Sequence, residues 1–249
     1  MLRKIPHSAF KGHGPIQILY PGLELHDDDS GIGSIGRIDH AFVQGKKHIG
    51  MHPHVNDEIL SYFRTGKVNH LDSEGYSDTI GGKRLMLMKA GSRFYHEELI
   101  DGVAEPQEGL QIFIRPGIAN LQPEVIFYDL PEVHSKNQWR LLASPQADSP
   151  FTFSSQTWLY DTKLSAGKAI SLPELPAQGL TALLYIYQGS VLVNDSLALG
   201  KKEVLLIKGE DIKVISQQGA ELVLFLTDEA APIFKEGMYS GNMLVANEY

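Results

Sequence analysis

An all-β chain of two tandem barrels of the jelly-roll kind, with few short helices, is what this sequence predicts. Three observations carry the prediction. Short runs rich in Val, Ile, Leu, Phe and Tyr recur at regular spacing, turns containing Gly or Pro separate them, and little of the chain has a helical apolar period. The second half then repeats the pattern of the first. The 249 residues suffice for one large all-β domain or two of ordinary size, and 43% hydrophobic residues supply a sizeable core. The expected division is 1–134 and 135–249.

From the N-terminus, the first fifty residues are mostly irregular by pattern, with Ile16 to Tyr20 as a short strand, Pro21-Gly22 as a turn and Ile38 to Val43 as another strand. His26-Asp27-Asp28-Asp29 lacks the alternating ligands and closing glutamate of a helix-loop-helix calcium site, so Asp27–Asp29 is expected to be a solvated acidic loop. Gly31, Gly33 and Gly36 follow no strong strand and open no helix, which excludes a dinucleotide motif. Glu58 to Phe63, Lys67 to Asp72, Arg84 to Met88, the His96 segment and Gly109 to Ile114 read as strands, with a loop rich in Asp, Gly, Glu and Pro before Gly109. A seam runs from Pro123 to Gln138. Beyond it come Trp139 to Pro145, Thr157 to Tyr160, Leu180 to Tyr187, Ser190 to Val193, Leu197 to Gly200, Val204 to Ile207, Ile212 to Ile215 and Leu222 to Leu226. Tyr62–Val68 and Tyr185–Val191 share one plan, an apolar strand, a Gly turn and a second strand, which points to hairpins in an internally duplicated chain.

Composition narrows the function. A formal charge of −8 argues against direct nucleic-acid binding, which needs a basic surface. With no cysteine, disulfides and thiolate chemistry are excluded, so any metal must be held by nitrogen and oxygen. The N-terminus MLRKIPHSAFKGHG has no apolar stretch behind its basic residues, and no run is long enough to span a bilayer. A cytoplasmic location with no membrane association is therefore expected.

Two short segments carry chemistry. Side chains i and i+2 of a strand share a face, so His52 and His54 project together while Pro53 points away. His96 and Glu98 form a second such pair. Set side by side in a barrel, the two strands bring three imidazoles and one carboxylate to one point, which is a transition-metal site. Glu58, four residues past His54, is a rival carboxylate if the strand runs on regularly, or else an orienting group for a histidine. His26, His40, His48 and His70 are read as surface or strand residues. Between Trp139 and Tyr249 there is no histidine, so the second barrel is expected to be metal-free.

His52-Pro53-His54, Glu58-Ile59, Gly66, Asp72-Ser73, Met88 to Ser92, then His96 and Glu98, closely resemble the pirin family of bicupins. The run Leu110 to Pro116 and Leu121-Gln122-Pro123 are similar to the strand and turn after the site in that family, and Tyr239 to Asn247 resembles its end. The resemblance covers residues 50–125 best; the first fifty residues depart from it, as does Gly82-Lys83-Arg84, where the family usually has Pro-Gly-Asp. It implies two tandem cupin barrels and one metal in the first, held by His52, His54, His96 and Glu98. Its H-x-E spacing favours Glu98 over Glu58. The donor set leaves open octahedral positions, which suits one divalent transition metal: Fe(II) first, then Mn, Ni, Cu or Zn. The resemblance further implies a quercetin 2,3-dioxygenase-like reaction on a flavonol or catechol-type substrate, with Glu98 as a candidate base. The alternative is a non-enzymatic, redox-responsive module whose metal state tunes contact with a protein partner. Imidazoles bind metals only when deprotonated, so affinity should fall as pH drops through about 6.5.

Overall fold

The computed structural model describes residues 1–26 and 28–242. Asp27 of the acidic loop, and residues 243–247 of the tail read from Tyr239 to Asn247, lie outside the described residues. The fold is an all-β bicupin. Its two compact units do not follow chain order at their ends. Phe10–Val133, Phe153–Ser155 and the described residues from Pro232 onward form the first barrel; Met1–Ala9, His134–Thr152 and Gln156–Ala231 form the second. This differs from a simple division at 134/135, for a backbone reason. Strand β1 (Leu2–Ile5) pairs antiparallel with residues 204–207 of the second barrel. At the other end, Met238 N–H donates to Val55 O (2.9 Å), and the amides of Tyr239 and Ser240 donate to the Asp57 carboxylate of the first.

The first barrel is one sheet of β2 (Ile16–Tyr20), β3 (Ile35–His54), β4 (Glu58–Thr65), β5 (Lys67–Asp72), β6 (Ser77–Gly81), β7 (Arg84–Lys89), β8 (Phe94–Ile114) and β9 (Glu124–Asp129). Its order is β2-β3-β8-β4-β7-β9, with β5 against β8 and β6 against β5. Strands β3 and β8 pair along most of their length and are far longer than the sequence pattern indicated. The loop expected before Gly109 is extended backbone within β8. There the ladder jumps from Val43↔Gln107 to Gly45↔Gly102, so residues 103–106 bow out as the strand turns a corner. Pro106, which has no N–H to give to a ladder, sits in that gap.

The stretch Tyr62–Val68 is a bent strand rather than the expected hairpin. Strand β4 pairs with residues 108–114 of β8, and β5 continues along residues 96–101 of the same strand. Gly66 makes the bend at φ +71°, and a Cβ there would stand 2.5 Å from Gln107 Cα. Only glycine satisfies both demands. Inside the barrel, alternate residues such as Ile59, Phe63, Met86, Met88, Phe94 and Phe113 pack as one apolar cluster.

The second barrel adds β10 (Arg140–Ser144), β11 (Phe151–Thr152), β12 (Thr157–Leu164), β13 (Lys168–Ser171), β14 (Thr181–Val193), β15 (Leu197–Gly200), β16 (Val204–Lys208), β17 (Lys213–Ser216) and β18 (Ala220–Thr227). Its counterpart of Gly66 is Gly189, at φ +80° within the continuous β14, so the two halves share a bent strand and not a hairpin. The core here is aliphatic, built on Leu184, Ile186, Leu205, Leu222 and Leu224. Two three-residue 3-10 turns, His7–Ala9 and Gly22–Glu24, are the only helix among the described residues, and no helix is long and apolar enough to cross a membrane.

Candidate metal centre

A one-residue bulge decides which side chains of β3 face inward. Ile49 is opposite Glu98, but the next pair is His52↔His96, three steps along β3 against two along β8. The extra residue reverses the parity of the strand. Ile49, His52 and His54 therefore all line one cavity, although an unbroken strand would put Ile49 opposite in sense to the two histidines. On the far side of β8, β5 is set so that Asp72 faces His96 and His70 faces Glu98. The result is a row of six polar side chains fed by three strands, all buried but the half-buried His52.

The three predicted imidazoles converge. His52, His54 and His96 each offer one ring nitrogen, all within 4.8 Å of one another, and their centroids are 4.3–5.0 Å apart. His54 Nε2 lies 3.0 Å from His96 Nε2. His52 donates Nδ1–H to Gly50 O (2.9 Å), a carbonyl of the bulge, which leaves its Nε2 bare. His54 Nδ1 is buried without a hydrogen bond, with Asp57 Oδ2 3.7 Å away. The donor set thus fits a divalent transition ion.

Glu98 sits deeper than the sequence suggested. Its carboxylate groups with His70 and His96, and Gln111 Nε2 approaches both its oxygens at 3.3–3.4 Å. Burial pushes its pKa up to about 7, against the smaller opposing pull of Gln111. Burial also lowers the pKa of His52, of His70 and, most strongly, of His96, where the neighbouring histidines add to the effect. All three rings are held in the neutral form that binds metals.

Glu58 lies elsewhere. Val55 to Asp57 form a turn between β3 and β4, with Asn56 at φ +54°, so the regular strand assumed between His54 and Glu58 does not exist. Ile59 faces the cavity, and the Glu58 carboxylate instead accepts the Ser154 amide at 3.1 Å from both oxygens. Burial raises its pKa to about 7, the Ser154 hydrogen bonds opposing.

Of the other histidines, His48 and His26 are exposed as expected, His48 beside Glu97 at 3.2 Å. His40 and His70 are fully buried. His40 Nε2 meets Glu108 at 3.1 Å. His70 joins the row behind His96, a position that reasoning from sequence missed. Its signal was there, since His70-x-Asp72 has the same i,i+2 spacing as the two pairs that were recognised. The acidic loop also does more than meet solvent: Asp29 is ion-paired with the buried Arg115 at 2.5 Å and with Lys235 at 2.9 Å.

The cavity of about 320 Å³ opens from the cluster between apolar walls, with Ile49, Ile59, Met88, Phe113 and Tyr239 among its lining. Tyr239 packs at a tilt against His54 and Phe113, with centroids at 5.1 and 5.3 Å. The Arg37 guanidinium lies over the Phe113 and Tyr239 rings at 5.8 and 5.6 Å, held by a two-pronged pair with Asp39 at 2.7 and 2.8 Å.

Residues 28–114 match the family model described as Pirin. A Pasteurella multocida protein provisionally named quercetin 2,3-dioxygenase is 29% identical over 182 residues, spanning 70% of this chain and 74% of its own. The Escherichia coli K12 protein named quercetin 2,3-dioxygenase is 24% identical, over 78% of this chain and 83% of its own. Among solved structures, the bacterial pirin YhhW of E. coli in complex with nickel(II) superposes with a TM-score of 0.77 at 20% identity, covering 91% of this chain and 99% of the other.

Proposed function

We propose that this bicupin, whose residues 28–114 form a pirin-family domain, is a metal-dependent dioxygenase acting on a flavonol or catechol-type substrate. One observation carries the reading: three imidazoles and a high-pKa carboxylate line one cavity whose other walls are mostly apolar and aromatic, with Arg37, Asp39 and Gln111 among them. The names of the relatives point the same way. His52, His54 and His96 would hold the metal, with Glu98 reaching it from behind His96. Nitrogen and oxygen donors with open positions beside them suit Fe(II), Mn or Ni.

A bound metal supplies Lewis acidity toward substrate oxygens. The rest belongs to the chain. Phe113 and Tyr239 offer ring faces against which a flat aromatic substrate stacks, and Arg37 is fixed at their edge by Asp39. Glu98, with a pKa near 7, takes up a hydroxyl proton and returns it without a large penalty either way. Gln111 orients that carboxylate.

The test is to load purified protein separately with Fe(II), Mn(II) and Ni(II), then track flavonol and O₂ consumption together. Equimolar loss of both, absent in His54→Ala, is the expected result. Fully loaded protein that consumes neither faster than free metal sinks the proposal and favours a non-catalytic role.

A further inference from the structure

Behind His96 a second set of side chains runs away from the cavity. His96 Nδ1 lies 3.3 Å from His70 Nδ1, and His70 Nε2 lies 2.7 Å from Asp72 Oδ2. The other Asp72 oxygen accepts the amides of Glu74 and Tyr76 at 2.9 and 3.0 Å. All three side chains are buried. We infer that His70 and Asp72 are positioning residues that fix which nitrogen of His96 is offered to the metal. The inference rests on the metal-centre reading above and adds two residues to it.

The order of hydrogen bonds comes from what each group can do. The two backbone amides lock the Asp72 carboxylate in place, and a carboxylate toward His70 can only accept. His70 therefore carries its proton on Nε2, and a neutral ring protonated there has a bare Nδ1. That nitrogen accepts from His96 Nδ1–H, so His96 must present a bare Nε2 to the cluster. Imidazole in water favours the opposite tautomer, protonated on Nε2, which cannot ligate through that atom. The turn at residues 72–76, on the outer side of β5, thus determines a tautomer two side chains away. His52 gains the same result from the Gly50 carbonyl. His54 has no hydrogen bond at Nδ1, so its tautomer is not fixed in this way.

An asparagine at position 72 reverses the order. Its carbonyl oxygen stays with the Glu74 and Tyr76 amides, which leaves its NH₂ facing His70. His70 then accepts at Nε2 and donates from Nδ1, His96 accepts at Nδ1, and its proton moves to Nε2, the ligating atom.

Long-range ¹H–¹⁵N spectra of the full chain labelled with ¹⁵N-histidine read these tautomers directly, without metal. The expected result for the metal-free wild type is His96 protonated on Nδ1 and His70 on Nε2. His96 protonated on Nε2 overturns the inference, and this measurement needs no variant to fold. In Asp72→Asn the His96 pattern should invert, a change that a merely structural role would not produce. Ni(II) calorimetry on wild type, Asp72→Asn and His54→Ala supplies the second readout. Asp72→Asn should bind about 10- to 100-fold more weakly at unchanged stoichiometry. If wild type binds no Ni(II), the metal-centre reading fails while the spectra still decide the tautomer. If wild type binds, His54→Ala does not and Asp72→Asn matches wild type, the positioning role alone falls. Direct Zn(II)-induced change at a His70 nitrogen would also overturn it, by making His70 a ligand.

Discussion

Two buried carboxylates, Glu98 and Glu58, share a pKa near 7 but answer to different tests. Glu98 must lose its proton to act as a ligand. His52 and His96, held neutral by burial, add nothing to the slope above pH 6.5. The fall in metal affinity on acidification should therefore begin near pH 7, where Glu98 takes up its proton. Below that point affinity should drop about tenfold per pH unit. Calorimetry at pH 6, 7 and 8 should lose this slope in Glu98→Gln; a slope that persists would mean the carboxylate does not ligate. Glu58 bears on stability instead. Its folded pKa is raised from 4.5, so the native state binds more protons than the unfolded chain between about 4.5 and 7, and stability declines as pH rises through that window. Glu58→Gln keeps an acceptor for Ser154, and should gain on the order of 2–3 kcal/mol over wild type at pH 8 but little at pH 4.5. Urea midpoints at the two pH values decide it. His96 works in the opposite sense, its neutral form costing stability only as pH falls below 6.5.

At the scale of strands, the bulge between Ile49 and His52 matters more than any single ligand. It turns His52 and His54 inward and supplies the Gly50 carbonyl that sets one tautomer. Deleting Met51 takes out the extra residue while leaving Ile49 opposite Glu98 and His52 opposite His96, so both histidines should stay inward. The expected outcome is a folded barrel with unchanged far-UV circular dichroism that still binds Ni(II), about 10- to 100-fold more weakly through loss of the Gly50 contact to His52. Binding lost altogether would show that β3 shifts its register instead. Strand β5 teaches a related lesson. Its residues alternate strictly between exposed and buried, so His70 and Asp72 were legible as an inward pair from spacing alone. What the sequence hid was the strand they faced, because β5 pairs with β8 across a bend at Gly66 that has the local pattern of a hairpin. The same bend recurs at Gly189, which is how the duplicated plan was visible while its geometry was not.

Across the whole molecule, the two chain ends complete barrels that are not their sequence neighbours. Strand β1 covers the edge of β16, whose other side pairs with β14. Removing residues 1–9 bares that edge, and an unpaired edge both weakens the sheet and invites association. The truncated chain should melt at a lower temperature and show concentration-dependent light scattering, while its Ni(II) affinity stays within about threefold of the full chain. A large loss of metal binding with the second barrel intact would contradict this division of roles. The 238–240 segment is tied in by Asp57, and Arg115 bonds the carbonyls of Ser240 and Gly33. Those ties bring Tyr239 to His54, a wall of the site supplied from more than 180 residues away in sequence.

The sequence by itself determined the class of fold and singled out the three histidines that the structure brings together. Both come from local rules: turn residues punctuate strands, and i,i+2 spacing puts paired side chains on one face. It also limited any metal site to nitrogen and oxygen in place of thiolate, since the chain has no cysteine. Only the tertiary structure decided parity, depth and partners. Whether His52 faces in depends on one unpaired residue in a ladder, and where Glu58 points depends on a turn that breaks the strand count. The rank behind His96 exists because β5 and β3 flank the same stretch of β8. Those outcomes arise from pairing between segments distant in sequence, where a shift of one residue reverses every side chain and leaves the local pattern unchanged.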